Sequence, residues 1–165
     1  MRFLPDIRFP GSVLKRVFSL ERRLKEHPED IEATQALTLN MNRPNLGLCG
    51  DCGLYGSDQW WSSVLNGAIP QRCCNGIILE RYAGGMDSHG VENSISVRLA
   101  PAKMWYGGMY ANDPLDADLF RVGHRIVFVL ALDKVKSQPA RDGGVNYAEI
   151  MLEVAVSMEP VDGYA

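Results

Sequence analysis

The sequence has no long apolar run. Its longest strongly apolar stretch, IVFVLAL at residues 126–132, is far short of the ~20 residues that cross a bilayer as a helix. The first twenty residues also lack the unbroken apolar core of a secretory signal, because Pro5, Asp6, Arg8 and Pro10 interrupt them. These absences predict a cytoplasmic or otherwise intracellular chain that does not engage membranes. A surplus of positive charge is missing too: 17 Lys+Arg stand against 20 Asp+Glu, a net charge of −3. Binding a phosphate backbone needs basic residues gathered on one face, so nucleic acid is not an expected partner. The glycines form neither G-x-x-x-x-G-K-[ST] nor a strand followed by G-x-G-x-x-G, which removes the common nucleotide folds.

What is present fits a folded domain with a real core. Over 165 residues, 46% hydrophobic and 22% charged content excludes disorder, collagen-like repeats and a small disulfide scaffold. Residues 1–45 carry eight Lys/Arg against six Asp/Glu, a balance of +2, and the remainder carries nine against fourteen, or −5. In residues 12–26, Val13, Leu14, Val17, Phe18, Leu20 and Leu24 recur at helical spacing behind a Ser12 cap, which predicts an amphipathic helix. Pro28, followed by Glu29 and Asp30, predicts the start of a second helix that ends before Pro44.

The segment 45–56, NLGLCGDCGLYG, reads as a loop of tight turns. A short helix at 58–66 follows, capped by Ser57 or Asp58. Beyond Pro70 the pattern turns to strand, at 76–82, at 94–99 where Ile95, Val97 and Leu99 alternate with polar residues, at 120–135 and at 147–158. The segment 126–132 is apolar on both faces, which predicts a central strand, hairpinned to 147–158 through the turn-rich SQPARDGG. The predicted fold is α+β: N-terminal helices followed by a mostly antiparallel sheet with room for strong curvature. Its parts are a helical region at 1–45 and a β-rich region at 46–165 carrying the Cys/Gly loop, joined in one domain.

Several clusters could carry chemistry. Cys49 and Cys52 form a C-x2-C pair in a glycine turn, where two thiolates can converge on zinc or an iron–sulfur cluster. Cys73 and Cys74 are a weaker second half, because adjacent side chains on an extended chain point to opposite faces. A metal set would therefore draw on Cys49, Cys52, Cys73 and His89. The same thiols permit a cysteine- or metal-dependent hydrolase in which Cys49 or Cys52 works with His89. The loop around Asp87, Ser88, His89 and Glu92 reads as a solvated turn, and His124 as a hydrogen-bonded core histidine. Asn112, Asp113, Asp116 and Asp118 lack calcium-loop spacing and read as a solvated acidic loop.

No catalytic constellation stands out. The aromatic segment around Trp105, Tyr106 and Tyr110, with an apolar stripe of Val13, Val17, Phe18 and Leu24, points instead to contact with a protein partner or a second copy of the chain. The expected function is a non-catalytic binding or assembly protein within a larger complex, with a viral or phage particle component as one setting.

Overall fold

The computed structural model describes residues 1–5, 8–86 and 89–161. Among these the elements run β1 (Leu14–Ser19), α1 (Leu20–Glu26), α2 (Pro28–Leu39), α3 (Asp58–Leu65), β2 (Gln71–Tyr82), β3 (Ser94–Leu99), β4 (Lys103–Gly108), β5 (His124–Lys134) and β6 (Tyr147–Pro160). A 3-10 helix, Pro114–Leu119, precedes β5. The strands are ordered β1-β6-β5-β2-β3-β4 in one sheet. Pairing is antiparallel between β1 and β6, β2 and β3, and β3 and β4. The α+β class and the antiparallel sheet are as expected, and β5 occupies an interior position with β6 beside it. The strict alternation of SISVRL gives β3 the limits predicted for it. Pro28 opens α2, and Ser57 caps α3 by accepting the Trp60 amide at 3.2 Å.

The order of elements differs from expectation, because the chain opens with a strand rather than a helix. Residues predicted as one helix at 12–26 divide into β1 and α1. The cause is a register shift between Arg16 and Phe18 against β6. A bulge there turns Val17 and Phe18 inward together, breaking the period of two that marks a strand and mimicking helical spacing. The β-branched Val13 and Val17 suit the extended backbone.

The chain divides into two compact units that interleave in sequence. The first comprises Met1–Ser19, Cys73–Val129 and Leu152–Ala165, and the second Leu20–Arg72 and Leu130–Met151. Buried in the first are Phe18, Ile78, Ile95, Val97, Phe120, Phe128 and Val156. In the second, Leu20, Leu24, Trp60, Val64, Ile69 and Leu130 are buried. Here the glycine loop earns its composition: Gly53 has φ +106°, and a Cβ on it would lie 2.7 Å from the Trp60 amide nitrogen, so only glycine lets the loop close onto α3. Lys136 donates to the carbonyl oxygens of Leu37, Asn40 and Arg43 at 2.7, 3.3 and 3.3 Å, which places a cation on the unsatisfied end of α2.

Candidate interaction surfaces

The four cysteines are divided between the two units. Cys49 and Cys52 belong to the second unit and Cys73 and Cys74 to the first, and all four are free thiols. Cys49 donates from Sγ to the Val135 carbonyl at 2.9 Å. Burial, reinforced by the nearby Asp51 charge, pushes its thiol pKa up, the opposite of what a nucleophile or a thiolate ligand needs. Cys52 borders a small cavity of about 130 Å³ together with Asp51, Asp133 and Tyr147. Cys73 is exposed and Cys74 buried, as adjacent residues of a strand must be. His89 is exposed in a turn at φ +51°, and its neighbours Asp87 and Ser88 lie outside the described residues. Among the described residues no three His, Cys, Asp or Glu side chains group so as to hold a metal ion.

The second unit's own polar centre is Asp133. Its Oδ2 accepts the Trp60 indole N–H at 2.9 Å, and the carboxyl is buried. Burial raises its pKa above the ordinary value, with the Trp60 bond opposing the shift only in part.

The predicted contact residues divide between core and surface. Val17, Phe18 and Leu24 are buried in the units' own cores, while Val13 is 73% exposed, so the expected apolar stripe is not an exposed surface. In β4, Trp105 folds over Gly107, where any Cβ would collide with its ring, and packs against Phe128 at 4.5 Å between ring centroids. Tyr106 points to the opposite face of that strand and is 64% exposed, flanked by the exposed Met104. Tyr110 presents part of its ring while meeting Phe18 edge-on at 5.2 Å. The first unit thus displays Met104, Tyr106 and Tyr110 on or near one edge strand.

The acidic loop beside them is not simply solvated. Asn112 clasps the end of β1, accepting the Ser19 amide at 2.7 Å and donating to the Ser19 carbonyl at 3.2 Å. Asp116 is buried and pairs with Lys15 at 2.6 Å. His124 is the core histidine expected, with Nδ1 at 2.7 Å from the Ser157 carbonyl.

A further feature of the first unit has no motif to announce it. Glu153 is only 1% exposed. Its Oε2 accepts the amides of Phe3 and Leu4 at 2.9 and 2.7 Å, and its Oε1 accepts from Arg16 Nη1 at 3.0 Å. One carboxylate therefore fastens the N-terminal residues to β6 and orients an arginine. Beside it runs a groove of about 680 Å³ whose lining includes Arg2, Arg8, Arg16, Phe9, Val127 and Ala155. The arginines are too far apart in sequence to form a motif; the only advance signal is that Arg2, Arg8, Lys15 and Arg16 face Asp6 alone among the first sixteen residues.

Comparison with known families decides among these readings. The family model for the immunity protein RhsI2 matches residues 14–157, which is most of the chain. The chain belongs to the RhsI2 immunity-protein family. No curated protein matches it. Membership places it among protein-binding immunity proteins, in line with a binding role, and the notion of a viral or phage particle component gains no support. The RhsI2 match begins at the first residue of β1 and ends within β6, so it draws on both compact units. No helix of the described residues is long and apolar enough to cross a membrane.

Proposed function

We propose that this chain is an intracellular immunity protein that neutralises a toxin by binding it, without chemistry of its own. The RhsI2 family match over residues 14–157 carries the reading. The surface of the first unit supports it, because Tyr106, Tyr110 and Met104 supply large exposed apolar area at the end of a sheet, the kind of rigid anchors that dominate protein interfaces. Cys49, one of the two thiols of the hydrolase reading, is hydrogen-bonded and its pKa is raised, leaving it a poor nucleophile.

The test is co-production of the intact chain with its partner toxin domain, scored by cell survival, together with isothermal titration of the two purified proteins. Survival with a measurable complex is the expected result. Truncating the best-exposed anchor, Tyr106→Ala, should weaken the complex by on the order of 1–2 kcal/mol while the chain stays folded. Absence of both rescue and complex with the wild-type chain would overturn the reading.

A further inference from the structure

Among the described residues that line the groove of the first unit, the charged ones are all basic, opposite in sign to the net charge of the molecule. The chain has a net charge of −3, yet three arginines line this one depression. Arg2 and Arg8 are exposed. Neither has an ion pair or hydrogen bond among the described residues. Lys15 is not part of this supply, since Asp116 already holds it. Arg16 is held differently: Glu153 fixes one of its terminal nitrogens while its side chain remains about half exposed, so it presents its remaining donors from a set position.

Apart from Ser12, the rest of the described lining is apolar. Phe9 is braced by the Arg125 guanidinium, 4.2 Å from its ring centre. Val127 and Ala155 come from the paired interior strands β5 and β6, and Ala155 stands opposite Arg16 in register. A depression of about 680 Å³ is ample for several side chains of an extended peptide.

We propose that this groove takes an acidic segment of the partner protein, with carboxylates on Arg2, Arg8 and Arg16 and an apolar side chain against Phe9 and Val127. The identity of the partner as a toxin rests on the immunity reading above; the chemistry of the segment does not. Planar guanidinium groups grip carboxylates with two parallel bonds each, which gives geometric selectivity as well as attraction. A nucleic acid is the poorer occupant. It would meet a net-acidic chain, and half of this lining offers a polyanion nothing to pair with.

The experiment uses the intact chain and a fluorescent hexapeptide of alternating Glu and Leu, read by anisotropy, alongside the Lys/Leu counterpart and a thymidine decanucleotide. Binding of the Glu/Leu peptide is expected, falling roughly tenfold or more in the Arg2→Glu/Arg8→Glu double variant. It should also fall as salt rises toward about 0.3 M. Arg141→Glu, an exposed reversal in the second unit, should leave binding unchanged. Because Arg2 and Arg8 are exposed, the double variant should melt like wild type, so a loss of binding is not a loss of fold. The proposal is overturned if the double variant binds the Glu/Leu peptide as well as wild type, or if the Lys/Leu peptide binds equally. It is also overturned if the thymidine decanucleotide outcompetes the acidic peptide for the same arginines. Toxin neutralisation separates this outcome from the immunity reading. A double variant that protects cells as well as wild type removes the groove alone, and a wild-type chain that never protects removes the immunity reading while leaving the peptide result intact.

Discussion

Glu153 in the first unit and Asp133 in the second are both buried, at 1% and 5% exposure, and both sit on a strand. They are compensated in opposite ways. Glu153 receives two backbone amides and an arginine, whereas Asp133 receives a neutral indole and the Lys134 backbone amide, and its pKa rises through burial. The first arrangement holds a chain segment and aims a cation. The second positions a large aromatic side chain, a task that a neutral acceptor could perform as well. A buried acid is thus informative only together with its donors: one marks the edge of a binding groove, the other the middle of a core.

The largest expected effect tests whether the apolar setting outweighs either carboxylate. Leu130 is 1% exposed in β5, and Leu130→Ala should destabilise by about 2–5 kcal/mol through lost transfer energy and a residual cavity. Denaturant unfolding would measure it, and a loss below ~1 kcal/mol would show that the interior of β5 is not where stability resides.

Next is the compensated carboxylate. Glu153→Ala leaves two amides and Arg16 without their acceptor, at a cost of roughly 2–3 kcal/mol, toward the lower end because Arg16 can be hydrated. Hydrogen exchange should show the amides of Phe3 and Leu4 losing protection before any other part of the first unit. If their exchange does not change, Glu153 does not secure the N-terminal residues.

For Asp133 the difference appears in pH dependence. A pKa raised in the folded state means that the folded protein holds the proton more tightly than the unfolded chain does. Stability from this group is therefore fullest at low pH and is lost as pH rises from the ordinary value of 3.8 through the raised one. Asp133→Asn keeps an oxygen to accept the Trp60 indole and removes the titration. Its melting temperature relative to wild type should climb across that window and then level off. A flat difference from acid to neutral pH would show that Asp133 titrates normally.

The smallest effect on stability belongs to the surface. Tyr106→Ala should change unfolding free energy by no more than about 0.5 kcal/mol, in contrast to its effect on partner binding. A large destabilisation would move Tyr106 from the display surface into the fold.

The legible parts of the sequence are those where one physical signal acts alone. Strict alternation marked β3, Pro28 marked α2, and the Ser57 cap marked α3. Two strands were illegible for local reasons. In β1 a bulge replaced alternation with two adjacent inward residues, and in KMWYGG of β4 the inward partner after Trp105 is Gly107, whose missing side chain is where the indole lies. In β6 Met151 through Ser157 are all buried, so the alternation of its apolar residues does not distinguish the enclosed Glu153 from a residue on an open face. Of the aromatic segment named as a contact surface, Tyr106 and Tyr110 are exposed while Trp105 packs on Phe128, so only part of that surface was legible. The groove was not, because it joins residues 2, 8 and 16 to β5 and β6 through a contact spanning some 150 positions, and no local pattern encodes that.

The last strand in the sheet order, β4, also bears on how such a protein can be kept at high concentration. Strand edges invite pairing with the strands of other molecules, and polymerisation follows when an edge is long, flat and apolar. Here the edge spans only six residues, begins at the exposed Lys103 and ends in Gly107 and Gly108, so the chain can hold Tyr106 open to solvent without offering a neighbouring copy a ladder to extend. An aromatic display surface and a blunted strand edge are thereby combined in one short strand.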